Sequence, residues 1–140
     1  MKFDHIGIFS KSLDQGRKHI CDIFEIKKIS QEFHDKSLKT SIQFLTDKSG
    51  ITYEIVAPFG KNNPVDKVLN KNNNILNHVA YRTENFSKEI KKLRSLGCAP
   101  LGVAKKALAF KYAKVIFFIT PLNFIVEIIQ EVKKSRKKRI

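Results

Sequence analysis

Two histidines and two glutamates recur in a fixed pattern along the chain. His5 precedes Glu54 by 49 residues, His78 precedes Glu127 by the same 49, and the second pair follows the first at an offset of 73. Imidazole and carboxylate are the usual borderline and hard donors to a divalent ion of the first transition row, so two of each make a four-ligand set. An ion so held, bound to a substrate carbonyl oxygen, stabilises the negative charge that develops when a proton leaves the neighbouring carbon. A carboxylate beside such an ion can accept that proton. A single strand histidine is usually an ordinary core or surface residue; the matched spacing carries the argument.

The offset also aligns residues of similar character outside these four positions, as an internal duplication requires. Asp4-His5-Ile6-Gly7-Ile8 falls on Asn77-His78-Val79-Ala80-Tyr81, Ile42 and Phe44 fall on Val115 and Phe117, and Tyr53-Glu54-Ile55-Val56 falls on Val126-Glu127-Ile128-Ile129. Residues 2–9 alternate as a half-buried strand does, with His5 inside it. Ser12 is placed to cap a helix running to about Phe24, with Leu13, Ile20, Ile23 and Phe24 as its apolar stripe. Three strands follow at about 25–34, 39–46 and 51–57, separated by turns at His34-Asp35 and at Asp47-Lys48-Ser49-Gly50. Pro58 and Gly60 end the last of them, and Asn62, Asn63 and Pro64 open a short helix at 64–70.

The second half predicts the same order: strand 75–82, helix 86–96 closed by Gly97, a poorly formed strand near 99–104, and strands 113–120 and 124–131. The expected fold is therefore α+β, two tandem βαβββ modules forming curved mixed or antiparallel sheets around a metal-binding cavity. Each module carries its His on the first strand and its Glu on the last. Glu54 shares a strand face with Thr52 and Val56, and Glu127 with Ile125 and Ile129. A carboxylate on so apolar a face needs a partner when buried, and a metal would be one. Phe44, Phe117 and Phe118 are expected to pack between sheet and helix, with alternate ones free to line the pocket.

With 140 residues and 42% hydrophobic content the chain is long enough for one filled core. We expect a single domain over 1–131, with modules at about 1–60 and 74–131 joined by 61–73, and a basic tail at 132–140. No apolar run reaches the roughly 18 residues of a membrane span, and the start MKFDHIGIF carries a charge within its apolar stretch, so the expected location is cytoplasmic, without a membrane partner. The net charge of +14 is spread as Lys over the whole chain; only Lys133 to Arg139 is dense. That segment reads as a solvated end, and nucleic acid is not the expected partner. Cys21 and Cys98 form no disulfide framework and are expected to be buried or half-buried small residues. His19 is expected on an exposed helix face and His34 in a turn. Lys105, Lys106 and Phe110 read as a solvated loop, with contact to an anionic substrate as the alternative.

The segments FDHIGIFSKSLD, ITYEIVAPFGKNNPVDKVL, LNHVAYRTENFSKEIKKLRSLG and KVIFFITPLNFIVEII resemble the glyoxalase and vicinal oxygen chelate superfamily, most of all its methylmalonyl-CoA epimerase-like branch. The resemblance spans about residues 1–131. It implies a glyoxalase/bleomycin resistance/dioxygenase fold, and one divalent ion (Co, Ni, Mn, Zn or Fe) held by His5, His78 and Glu127 with Glu54 as fourth ligand. It also implies a small-molecule substrate such as an acyl-CoA, whose oxygens chelate that ion, and a homodimer. Epimerisation further calls for a base on each face of the substrate. Some epimerases of the branch use a carboxylate on the third strand of the first module; here Gln43 stands near that place, and an amide accepts no proton. The resemblance implies that Glu127 loosens from the metal and takes the proton as base, and Glu54 would then be the second base, as paired glutamates are in the glyoxalase I branch. A lactoylglutathione lyase-like reaction is the nearest alternative, and a non-catalytic metal or small-molecule binder the alternative of another class.

Overall fold

The computed structural model describes residues 1–71 and 76–132. The basic segment 133–139 and residue 75, where the sixth strand was expected to start, lie outside the described residues. The fold is α+β, and the chain divides into two compact units. The N-terminal unit runs from His5 to Asn77; the C-terminal unit combines Met1–Asp4 with the chain from His78 onward.

The N-terminal unit contains β1 (Lys2–Phe9, from His5), α1 (Leu13–Ile23), β2 (Ile26–Ile29), β3 (Phe33–Asp35), β4 (Thr40–Asp47), β5 (Thr52–Pro58) and α2 (Pro64–Leu69). β1 lies parallel to β5, β5 antiparallel to β4, and β4 antiparallel to both β2 and β3. In the C-terminal unit the elements are β6 (His78–Thr83), α3 (Phe86–Ser95), β7 (Ala99–Pro100), β8 (Lys105–Ala107), a 3-10 turn (Leu108–Phe110), β9 (Ala113–Ile119) and β10 (Ile125–Gln130). The pairing repeats: β6 parallel to β10, β10 antiparallel to β9, and β9 antiparallel to β7 and β8. Each sheet is thus mixed rather than antiparallel, because the first and last strands of each unit, those bearing His and Glu, run the same way side by side.

Strand alternation gives each sheet two faces. On the helix face of the N-terminal sheet, Leu45, Tyr53, Ile55 and Ala57 join Leu13 and Ile20 of α1 in a buried core, with Ile6 and Ile8 packed against it. The helix starts where Ser12 accepts a hydrogen bond from the Gln15 amide at 3.0 Å. Gly16 lets it press onto the sheet, since a Cβ there would lie 2.6 Å from Ile55 Cγ2. Ile23, expected in the stripe, is exposed; Phe24 takes the core place at that end, its ring stacked 4.6 Å from Tyr53. In the C-terminal unit Ile116, Phe118, Val126 and Ile128 form the equivalent core, covered by Phe86, Ile90 and Leu93 of α3.

The strand expected at 25–34 is two short strands on one partner. Between them Ser30 donates its amide to Phe44 O, while its hydroxyl accepts the Phe44 amide, both at 2.9 Å, so a side chain carries the ladder across the break. His34 and Asp35 belong to β3 rather than to a turn; the turn follows them, closed by Asp35 Oδ1 accepting from the Ser37 and Leu38 amides and the Ser37 hydroxyl. Of the poorly formed strand expected near 99–104 only Ala99–Pro100 is strand, as β7; β8 lies beyond it, at Lys105–Ala107, where a loop was expected. Both cysteines are free; Cys98 is half-buried in the C-terminal core, whereas Cys21 is exposed. Among the described residues no helix is long and apolar enough to cross a membrane.

Candidate metal centre

In each unit the parallel strand pair brings one His and one Glu onto the sheet face opposite the helix. Glu54 stands across from Gly7 in the β1–β5 register, and Glu127 across from Ala80 in β6–β10, so Gly7 and Ala80 occupy equivalent places. His5 and His78 come two residues earlier on the same face. The small residue directly opposite each carboxylate leaves it room to lean along the sheet toward the imidazole. His5 Nε2 lies 3.3 Å from Glu54 Oε1, and His78 Nε2 lies 3.3 Å from Glu127 Oε1. All four residues are buried: His5 0%, Glu54 3%, His78 3% and Glu127 3% exposed.

An aromatic ring completes each half-site. Phe44 sits across from Glu54 and meets the His5 ring edge to face at 5.9 Å, and Phe117 sits across from Glu127 and meets His78 at 5.2 Å. These are the alternate aromatics turned away from the helix, while Phe118 is buried in the helix-face core.

The donor separation fits a shared cation. Two ligands each 2.0–2.2 Å from one ion, at angles between square and tetrahedral, stand about 2.8–3.6 Å apart. The 3.3 Å found in both units lies in that window. It exceeds the roughly 2.7–2.9 Å of a charge-assisted hydrogen bond.

Gln43 does not belong to this face. It pairs with Ile55 and lies on the helix side, where Oε1 accepts from Arg17 Nη1 of α1 at 2.7 Å and Nε2 donates to Ser30 O at 2.9 Å. The β4 residues that do share the His5 and Glu54 face are Thr40, Ile42, Phe44 and Thr46. The strand therefore offers no carboxylate there. Gln43, one residue from Ile42 and Phe44, lies on the opposite face from them, as strand alternation requires.

His34, too, is on the helix side, its Nδ1 2.8 Å from Ser41 Oγ and its ring 5.4 Å from that of Phe59. His19 borders a mostly apolar groove of about 280 Å³ between α1, the end of β1 and Leu69. Neither approaches a His–Glu pair of its own unit through any contact described. Lys105 and Lys106 are not a loop but consecutive residues of β8, and so point to opposite faces.

Residues 4–117 match the profile of the Glyoxalase/Bleomycin resistance protein/Dioxygenase superfamily, and the chain belongs to that family. Among solved structures it resembles methylmalonyl-CoA epimerase from Mycobacterium tuberculosis (TM-score 0.76, 19% identity, covering 95% of this chain and 89% of that one). A hypothetical protein from Bacillus halodurans is similarly close (TM-score 0.76, 18% identity, 97% and 98% covered). So is a variant of Streptomyces coelicolor methylmalonyl-CoA epimerase in complex with 2-nitronate-propionyl-CoA (TM-score 0.71, 19% identity, 95% and 96% covered). At these identities the likeness is one of fold. No curated protein is significantly similar in sequence.

Proposed function

We propose that His5, Glu54, His78 and Glu127 together hold one divalent metal ion, and that the protein is an enzyme moving a proton on the carbon next to a carbonyl. The observation that carries this reading is the repeat of one buried His–Glu geometry, 3.3 Å in both units, on duplicated strands. Membership of the glyoxalase superfamily and the fold likeness to methylmalonyl-CoA epimerases support it. The two modules, at about 1–60 and 74–131, then act as one domain around one ion, in a homodimer of the cytoplasm.

His5, Glu54, His78 and Glu127 would hold the ion, which when bound would polarise a substrate carbonyl and stabilise the charge on its oxygen. The residues of the chain do the rest. Glu127 and Glu54 are the carboxylates placed to accept and return the proton, and the phenylalanine rings exclude the water that would screen them. The leading substrate is an acyl-CoA such as methylmalonyl-CoA, the compound that one of the similar epimerases is complexed with. The location of Gln43 on the helix side favours a second reading. With no carboxylate on that face of β4, and with Asp35 of β3 holding the turn at Ser37 and Leu38, the two glutamates are the ones left to supply both bases, as in an isomerase or lyase of the glyoxalase I kind.

Proton exchange separates these outcomes. The protein, supplied in turn with Co, Ni, Mn, Zn and Fe, is incubated with methylmalonyl-CoA in deuterated water, and in parallel with the hemithioacetal of methylglyoxal and glutathione. Metal-dependent deuterium incorporation next to the thioester carbonyl supports the epimerase reading, and formation of lactoylglutathione supports the second. Metal uptake with neither reaction leaves a metal-binding protein without this chemistry and overturns both.

A further inference from the structure

The two half-sites carry the same His, Glu and Phe but differ beside them. On the His–Glu face of the N-terminal sheet, Phe33 of β3 pairs with Ile42 of β4 and Asp35 with Thr40. On the same face of the C-terminal sheet, Lys105 of β8 pairs with Val115 of β9 and Ala107 with Ala113. Ile42 and Val115 are equivalent residues, as are Thr40 and Ala113, so Lys105 stands where the first unit has Phe33, and Ala107 where it has Asp35. Phe33 is buried and lies 6.1 Å from the Phe44 ring, filling the space beside the half-site. Lys105 is exposed, and each neighbour in its row is smaller than its counterpart: Val115 for Ile42, Ala113 for Thr40, Ala107 for Asp35. One half-site is plugged by an aromatic ring; the other has small side chains and a cation at its edge.

We infer that Lys105 receives an anionic group of the substrate, over the β8–β9 side of the C-terminal half-site. The inference rests on the proposed metal-dependent function and adds the substrate class: an oxo compound carrying a carboxylate or phosphate away from the reacting carbon. Lys105 lies two strands from Glu127 and two residues along, which puts the two Cα atoms about 12 Å apart. An extended lysine covers part of that distance, and the substrate covers the remainder. A cation held near an apolar floor attracts an anion more strongly than one in open water. Lys106, its neighbour, faces the other side of the sheet opposite Lys114 and serves as an internal control.

The test uses Co²⁺ as the metal, malonate and inorganic phosphate as anions, and malonamide as a neutral analogue. Wild type, Lys105→Ala, Lys105→Arg and Lys106→Ala are first titrated with Co²⁺ alone, then with each small molecule, following the cobalt absorbance and the amide resonances of β8 and β9. Co²⁺ affinity should be equal in all four proteins. The dissociation constant of the preferred anion should rise about three- to tenfold in Lys105→Ala, recover in Lys105→Arg and stay unchanged in Lys106→Ala, with malonamide insensitive throughout. Preference for malonate assigns the group as a carboxylate, and preference for phosphate as a phosphate. Equal anion binding by wild type and Lys105→Ala, or no anion-dependent shift near Lys105 in wild type, overturns the inference. If wild type takes up no Co²⁺, the metal reading fails by itself, and the same amide comparison in metal-free protein still decides the role of Lys105.

Discussion

The N-terminal and C-terminal units share a strand order, a mixed pairing scheme and a His–Glu–Phe half-site, yet they are packed very differently. α1 is capped by Ser12 and buries Leu13, Gly16 and Ile20 against its sheet. α3 has no capping side-chain bond at Asn85 and no fully buried residue. The His–Glu face is plugged by Phe33 in the first unit and bordered by Lys105 in the second. Duplicated positions have kept the residues that could do chemistry, while those that only need to fill space have diverged. The first unit is the more fully packed half, and the second leaves a cation and small side chains beside its His–Glu pair.

Breaking the shared part should have the largest effect. Glu127→Gln and Glu54→Gln should each lower metal-dependent proton exchange about a hundredfold or more, measured as deuterium incorporation, because an amide ligates weakly and accepts no proton. The comparison sharpens where the units differ. Phe33→Ala should cost about 3–5 kcal/mol of unfolding free energy in urea, whereas Lys105→Ala at the equivalent place should stay within about 0.5 kcal/mol. Gln43→Leu should cost about 1–3 kcal/mol, since it removes the bonds Gln43 makes to Arg17 Nη1 and to the Ser30 carbonyl, while leaving the exchange rate of the folded protein unchanged. A loss of exchange at full stability would return Gln43 to the reaction.

Smaller effects test the helices and a turn. Ser12→Ala should cost about 1 kcal/mol, and Asn85→Ala, which removes no capping bond, less than about 0.5 kcal/mol. Asp47 accepts from the Ser49 hydroxyl at 2.7 Å and from the Ser49 and Ile51 amides, and the Ser49 bond is the main cause holding its carboxyl below the usual 3.8. A depressed carboxylate stabilises the fold above its unfolded value, and that contribution is lost as pH falls through the folded one. The gap in urea midpoint between wild type and Asp47→Asn should therefore be open at pH 7 and close as the pH drops below 3.8.

Much of this was legible in the sequence. Periodicity and caps placed β1, α1, β4, β5, α2, α3, β9 and β10, and the 49-residue spacing picked out two histidines that do lie beside their glutamates. Glu54 and Glu127 were readable because a carboxylate set among apolar neighbours on a strand face must be held by a partner once it is buried. What stayed hidden depends on register. Gln43 differs from a position on the His–Glu face by one residue, and one residue on a strand reverses its direction. The offset of 73 would align Phe33 with Lys106, but the β8–β9 register slips by one and puts Lys105 there. Nor could spacing foresee that Ser30 would bridge a broken strand with its hydroxyl, splitting one expected strand into two.

Metal stoichiometry tests most directly whether the two half-sites act as one centre. Isothermal titration of metal-free protein with Co²⁺, backed by elemental analysis, should give one ion per chain, with affinity falling about a hundredfold when either His5 or His78 is changed to alanine. Two ions per chain, or one that survives loss of His5 or of His78 undiminished, would contradict it.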